Sequence, residues 1–247
     1  MKTGTPIATL CISIFLIAIS ANAQWRGSNE KVKGNGSMVT KERKTADYDA
    51  ISVAGSFDVE LVAGTEGNIV INAEENLIPH IETEVKNNTL KIGVEEGYSL
   101  HPGRNHKMLI TVPFKDISKV SLAGSGDVMS KNPIKADSFT ASIAGSGDMD
   151  LEVNASQVKG SVAGSGDLRL KGSTTDFECS IAGSGDVYAF DLMAENVEAS
   201  VSGSGDARVY CNGALKARVV GSGDITYKGN PKKEDTKAMG SGDISKG

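Results

Sequence analysis

The tetrapeptide Gly-Ser-Gly-Asp occurs seven times in the second half of the chain at nearly constant spacing. Successive copies lie 18 to 21 residues apart, which is the period of one coil in a solenoid protein. The chain is therefore predicted to stack similar coils, each of which contacts only its two neighbours. The seven copies end at Asp127, Asp148, Asp167, Asp186, Asp206, Asp224 and Asp243.

Apolar residues alternate with polar or small residues on both sides of each tetrapeptide. In the coil that ends at Asp186, the apolar positions are Phe177, Cys179 and Ile181 before the tetrapeptide and Val187 after it. A period of two predicts two short β-strands per coil, each with one buried face. No repeat shows a helical period, so the coils are predicted to stack as parallel strands. The predicted architecture is an all-β parallel β-helix, wound right-handed as parallel crossovers generally are.

Residues 118–247 form the regular coils, and three regions precede them. Residues 1–23 combine a basic residue, a short apolar run and Ala-Asn-Ala, which is the pattern of a secretory signal peptide. Residues 24–47 are polar and contain a weak echo of the repeat, Gly34-Asn35-Gly36-Ser37, which predicts a first, degenerate coil. Residues 48–117 contain a second echo but otherwise break the period. Their alternating segments predict a β-rich head built on, or inserted into, the solenoid.

Composition excludes some partners. The chain has 247 residues and a formal net charge of −5, from 26 basic and 31 acidic residues. Since no basic block stands out, nucleic acid is not an expected partner. After the leader, no segment reaches the roughly 20 apolar residues of a helical membrane span, so the mature chain is predicted to lack a transmembrane segment. Its predicted location is the periplasm, the cell surface or the extracellular medium.

The start of the head carries a longer pattern, Tyr-x-x-Ile-x-Val-x-Gly-x-Phe-Asp-Val-x-Leu, over residues 48–61. With the Gly-Ser-Gly-Asp coils after it and the export signal before it, this pattern resembles the auto-transporter adhesin family with the head GIN domain, found mainly in Bacteroidetes. The resemblance extends over essentially the whole mature chain. It implies an exported protein of the envelope or surface whose role is adhesion to a cell-surface ligand. The outward column of small residues, such as Ser180 and Ala182, forms a flat face that suits a glycan or another flat surface, with a solvated sheet face as the alternative.

The tetrapeptide places like charges close together. If the alternation continues through it, both glycines face inward and the Ser and Asp face outward. Seven carboxylates then stack at about 4.8 Å. At that distance a like-charge pair costs about 0.9 kcal/mol in water and about 3.5 kcal/mol at an effective dielectric of 20. Some favourable interaction must offset this repulsion.

Two interpretations of the Asp column remain open. In the first, each carboxylate accepts backbone N–H groups at the corner of its coil. In the second, the column is a cation ladder, by analogy with Gly- and Asp-rich β-rolls that bind Ca²⁺. The candidate ligands of the second interpretation are Asp127, Asp148, Asp167, Asp186, Asp206, Asp224 and Asp243.

Histidine and cysteine give weaker signals. His101 and His106 flank a short segment that is interpreted as a surface loop, with a small metal site as the alternative. Cys179 falls on an inward position and is interpreted as a core residue. Cys211 is out of phase with it, so stacking alone does not pair the two cysteines.

No catalytic residue is assigned. Polysaccharide lyases and glycosidases often use parallel β-helices, but their active sites need convergent carboxylates in a groove. The outward stripe two residues after each tetrapeptide Asp contains a single acid, Asp150, and the short linkers leave no loops to wall a cleft. The sequence therefore predicts a non-enzymatic surface-binding protein without a cofactor. The alternatives are a carbohydrate-active β-helix enzyme and a cation-binding structural module.

The last coil differs from the others. Its three inward positions before the tetrapeptide are Glu234, Thr236 and Ala238, where the preceding coil has Leu215, Ala217 and Val219. Terminal repeats of solenoids commonly carry such a polar outer face. The last coil is therefore predicted to be a cap.

Overall fold

A computed structural model describes residues 29–247, and the signal peptide predicted at residues 1–23 lies outside them. Within the described range the chain forms 20 β-strands and one 3₁₀ turn, Ile78–His80. The strands are β1 (Glu30–Lys33), β2 (Met38–Lys44), β3 (Ala50–Gly55), β4 (Asp58–Ala63), β5 (Asn68–Glu74), β6 (Ile81–Lys86), β7 (Thr89–Val94), β8 (Tyr98–His101), β9 (Leu109–Phe114), β10 (Lys119–Gly124), β11 (Val128–Ser130), β12 (Ile134–Gly145), β13 (Met149–Gly164), β14 (Leu168–Gly183), β15 (Val187–Gly203), β16 (Ala207–Cys211), β17 (Ala214–Gly221), β18 (Ile225–Lys228), β19 (Lys233–Gly240) and β20 (Ile244–Lys246).

The coils stack through two parallel ladders. In the first ladder lie the segments that precede the tetrapeptides, where Leu122 pairs with Ile143 and Ile143 with Val162. In the second lie the segments that follow them, where Val128 pairs with Met149. Paired residues are thus one repeat apart in sequence, which confirms the predicted parallel β-helix.

The alternating apolar positions form one continuous core. Phe177, Cys179, Ile181 and Val187 are at most 2% exposed, as the alternation predicts. Cys211 is buried as well, and both thiols are free. Burial raises the pKa of the Cys179 thiol to about 12, which keeps it protonated and unreactive.

The two glycines of each tetrapeptide lie against the preceding coil. Gly185 is buried, whereas Gly183 is partly exposed and has a φ of +133°. A Cβ at either position would lie less than 3.0 Å from a carbonyl oxygen of the preceding coil. One of these oxygens, that of Gly164, accepts N–H bonds from Ser184 (2.9 Å) and Gly185 (3.0 Å). Close backbone approach, more than the bend itself, therefore requires glycine here.

The head is inserted after the first coil. That coil is β3 and β4, which stack in parallel on β10 and β11 with Gly55 level with Gly124. On its other side, β7 and β9 add one more parallel layer, and β6 and β5 pair antiparallel with them. The β6–β7 hairpin turns at Asn87 and Asn88, whose φ values of 51° and 56° suit a type I′ turn. The head thus covers the apolar end of the first coil.

The predicted degenerate coil within residues 24–47 is wrong. β1 pairs with β8 in a separate two-stranded sheet, and β2 runs antiparallel to β5 at the edge of the main sheet. The echo Gly34–Ser37 is the connection between β1 and β2 and stacks on no coil. The last four residues of β2, 41–44, are all charged. Charge on an exposed edge strand opposes pairing with another chain.

The last coil is exposed along its whole first strand. All eight residues of β19 are exposed, and they pair in register with β17. Glu234, Thr236 and Ala238 therefore cover Leu215, Ala217 and Val219, and Glu234 also accepts a hydrogen bond from the Tyr227 hydroxyl at 3.1 Å. This arrangement supports the predicted cap.

Deletion of residues 228–247 tests the cap. We expect the truncated protein to associate, because Leu215, Ala217 and Val219 lose their cover and β17 becomes an apolar edge strand. Light scattering on truncated and full-length protein at equal concentration measures the effect. A truncated protein as monodisperse as the full-length one would show that the last coil does not act as a cap.

Candidate functional site

The Asp column forms a continuous hydrogen-bonded ladder. In each coil the Oδ1 atom of the tetrapeptide Asp accepts the backbone N–H of the Asp in the next coil. The carbonyl of that next Asp in turn accepts an N–H from the preceding coil, as from Val128 to Asp148 at 2.9 Å. The six carboxylate bonds are Asp148 to Asp127 (3.2 Å), Asp167 to Asp148 (2.8 Å), Asp186 to Asp167 (3.1 Å), Asp206 to Asp186 (2.8 Å), Asp224 to Asp206 (2.9 Å) and Asp243 to Asp224 (2.8 Å).

Side chains of the neighbouring stripe also contact this ladder. Arg169 lies between two carboxylates, 3.1 Å from Asp167 and 3.7 Å from Asp148. The Tyr188 hydroxyl donates to Oδ2 of Asp186 at 3.0 Å, and this bond to a carboxylate raises the pKa of Tyr188. Both contacts reduce the repulsion between stacked acids.

The ladder geometry is that of a structural corner. One oxygen of each of the six carboxylates is occupied by the next coil, and among residues 29–247 no three His, Cys, Asp or Glu side chains group as a metal site would. The structure therefore gives six of the seven Asp carboxylates, all but that of Asp243, a role that needs no ion. Binding of Ca²⁺ by the column stays a prediction, which chelation can test.

Chelation and substitution separate the two roles. If the carboxylates serve as backbone acceptors, EDTA leaves the melting temperature unchanged and Asp186→Ala lowers stability by about 1–2 kcal/mol. Ser184→Ala is the control, because Ser184 is exposed and lies in the same tetrapeptide. A melting temperature that falls with EDTA and recovers with millimolar Ca²⁺ would instead establish a cation ladder.

A long open groove of about 670 Å³ crosses the outer face of the first ladder, over β12 to β19. It is lined mainly by side chains eight and ten residues before the tetrapeptide Asp, so equivalent positions recur once per coil while the residue types differ. Across the groove Lys159 pairs with Glu178 at 2.6 Å and Lys216 with Glu198 at 2.5 Å. The groove therefore combines apolar surface with charged side chains, three lysines and five acids, at positions that recur once per coil.

The acids of this groove are poorly arranged for hydrolysis. Glu178 and Glu198 each hold a lysine, and Asp176 accepts the Asn196 amide at 2.9 Å. Glycosidases need one protonated carboxyl and one free carboxylate facing each other across the scissile bond. Glu178, Glu198 and Asp176, held by lysine or amide partners on an open sheet face, do not form such a pair.

His101 and His106 line the same shallow pocket but have different side-chain partners. The ring of His101 lies 3.2 Å from the Ser99 hydroxyl. Nδ1 of His106 instead lies 3.2 Å from Oε1 of Glu74, whose side chain is fully buried. Among residues 29–247 no third His, Cys, Asp or Glu side chain joins them in a metal-like group, so a metal site at this loop stays a prediction.

Glu74 is a buried charged residue whose burial the sequence does not predict. Its carboxylate accepts N–H bonds from Gly103 (2.7 Å) and Gly36 (2.6 Å). These bonds, the Gly103 one above all, hold the pKa of Glu74 below its ordinary value despite burial. The alternation of Ile69, Ile71 and Ala73 would place Glu74 outward, and only the loops that fold over it bury it. Its role is to tie the β1–β2 connection and the 102–106 loop to β5.

Proteins of known structure share this architecture. Together, the parallel coils, the inserted head and the Asp ladder define a class of β-solenoid proteins with a tetrapeptide corner. The chain belongs to the family described as "Putative auto-transporter adhesin, head GIN domain", whose model matches residues 47–231. No curated protein matches the chain.

Solved structures of related bacterial proteins share the whole fold. A putative adhesin from Bacteroides fragilis is 25% identical with a TM-score of 0.79, over 87% of this chain and 99% of that one. A protein described as a putative lipid binding protein, from Parabacteroides distasonis, is 30% identical with a TM-score of 0.73, over 88% of this chain and 100% of that one. A putative adhesin from Parabacteroides merdae is 25% identical with a TM-score of 0.65, over 88% and 99% of the two chains.

Within residues 29–247, no helix is long and apolar enough to cross a membrane.

Proposed function

We propose that this protein is exported, acts at the cell envelope or surface, and binds an extended ligand such as a cell-surface glycan without transforming it. The family and the neighbours described as adhesins support a surface protein. The observation that carries the proposal is the groove over β12 to β19. Its outward positions recur once per coil, about every 4.8 Å, and a surface with this regular spacing complements a polymer better than a compact molecule.

The groove is also suited to exchange hydrogen bonds with sugars. Lys159, Glu178, Asn196 and Gln157 present donors and acceptors on a rigid sheet. Because stacked strands fix their spacing, little side-chain or loop ordering accompanies binding, and this preorganisation favours affinity. The commitment of the groove acids to lysine and amide partners supports binding over hydrolysis.

One experiment distinguishes a binder from an enzyme. Mature protein, residues 24–247, is applied to a glycan array, and the polysaccharides it retains are then assayed for release of reducing ends. We expect retention without release. Release of reducing ends would establish the carbohydrate-active alternative, and retention of no glycan would overturn the glycan proposal.

A matched pair of variants locates the binding surface. Lys159→Ala removes a half-exposed groove cation that pairs with Glu178, and we expect it to weaken glycan binding about tenfold, or about 1.4 kcal/mol. Lys131→Ala removes a similarly exposed lysine, paired with Glu60 at 3.0 Å, outside the groove. Equal affinities for both variants and the wild type would place the ligand elsewhere on the protein.

A further inference from the structure

Three partly exposed aromatic side chains lie together on the outer face of the second ladder. They are Tyr188 and Phe190 of β15 and Tyr210 of β16. The chain is only 5% aromatic, and most of the other described aromatic residues are buried. These are Tyr48, Phe57, Phe114, Phe139, Phe177 and Tyr227. The concentration of outward aromatic rings on two adjacent coils therefore calls for an explanation other than core packing.

Strand register places cations among these rings. Arg208 is level with Tyr188 of the preceding coil, and Lys228 is level with Tyr210. Since residues two apart on a strand share a face, Arg208 and Tyr210 lie side by side. Tyr210 thus adjoins both cations on one sheet surface. We call Tyr188, Phe190, Arg208, Tyr210 and Lys228 the aromatic–basic patch.

A β-bulge adds Phe190 to the patch. β15 pairs with β16 at Ala189–Val209 and next at Met193–Tyr210, so three residues of β15 have no opposite residue. Phe190 is the first of them, and Lys228 Nζ lies 4.3 Å from the centre of its ring. Bulges often re-aim a side chain beside a functional site.

The two cations of the patch lack acidic partners. Arg169, on the far side of Tyr188, is paired with Asp167. Arg208 contacts the Tyr188 ring at 4.7 Å, and neither it nor Lys228 has a carboxylate within 4.0 Å anywhere in residues 29–247. Both positive charges are therefore available to an anion.

The position of the Asp column limits where an anion can bind. Asp206 lies two residues before Arg208, on the side away from Tyr210. Because Asp206 repels an anion on that side, we expect an anion to bind on the other side, next to Arg208 and Lys228. Strand geometry separates the Cα atoms of these two residues by about 8 Å. The Arg208 guanidinium lies over the Tyr188 ring and Lys228 Nζ over the Phe190 ring, so both cations sit above β15. Tyr210, which adjoins both residues by register, offers an apolar ring surface beside them.

We propose that the aromatic–basic patch binds an acidic sugar, with its carboxylate or sulfate between Arg208 and Lys228 and its pyranose ring against Tyr210. Guanidinium and ammonium groups supply the charge-assisted hydrogen bonds that an anion requires. The proposal rests on the proposed function, because it names the sugar class that a glycan-binding surface would take.

The test compares acidic oligosaccharides with neutral counterparts. The probes are tetragalacturonate and its methyl ester, sialyllactose and lactose, and a sulfated galactan tetrasaccharide and its desulfated form, titrated calorimetrically into mature protein. We expect at least one acidic probe to bind about tenfold or more tightly than its neutral counterpart, with affinity that falls as salt rises. Equal affinity within every pair overturns the proposal.

Paired variants assign that binding to the patch. Arg208→Gln with Lys228→Gln is expected to weaken acidic-sugar binding at least about tenfold. The control, Arg104→Gln with Lys86→Gln, makes the same charge change at exposed residues of the head and is expected to leave affinity unchanged. Equal effects of the two pairs overturn the proposal, and unchanged melting temperatures show that both variants are folded.

The outcomes separate this proposal from the proposed function. Neutral glycans that bind the groove, with no dependence on Arg208 or Lys228, leave the proposed function standing and overturn the acidic-sugar site. Failure of every oligosaccharide to bind overturns the acidic-sugar site, and failure to retain any glycan on the array as well overturns both proposals. Vesicles of phosphatidylglycerol in phosphatidylcholine serve as the lipid arm, and patch-dependent binding of these vesicles without sugar binding would overturn the sugar assignment.

Discussion

The fold depends on direct backbone contact between the glycines of successive coils. The carbonyl oxygen of the first glycine in one coil accepts two N–H groups from the next, as Gly164 does from Ser184 and Gly185. A Cβ on either glycine would overlap the backbone of the preceding coil. Glycine at both positions therefore lets coils approach to strand spacing at the corner as well as along the ladders, and this contact fixes the register of every other column.

The fixed register determines what the surface can do. Because Asp residues stack in line, each carboxylate finds an N–H of the next coil, which turns a column of like charges into a ladder of hydrogen bonds. The same register aligns the groove side chains and places Lys228 beside Tyr210. The outer faces of the coils therefore have a regular spacing, and they differ from coil to coil only in the outward side chains.

The sequence was sufficient to predict the regular coils and insufficient for the irregular parts. Period-two alternation around a repeated tetrapeptide determines both the strands and their buried face, as for Phe177 and Ile181. The N-terminal echo of the repeat, Gly34–Ser37, predicts a coil that does not form, because glycine and serine also suit a simple connection between strands. Burial of Glu74 depends on loops distant in sequence, and the Phe190 bulge depends on a length difference between adjacent coils. Such long-range effects leave no local pattern.

The central claim is that close approach at the tetrapeptide corner holds the coils in register. The most direct measurement is the free energy of unfolding of Gly185→Ala, beside Ser184→Ala as the neighbouring exposed control. Gly185 lacks the positive φ of Gly183, so an added methyl group there tests contact with the Gly166 carbonyl and not backbone strain. The account predicts a loss of about 3 kcal/mol or more for Gly185→Ala and less than about 0.5 kcal/mol for the control. Equal stability of the two variants would contradict it.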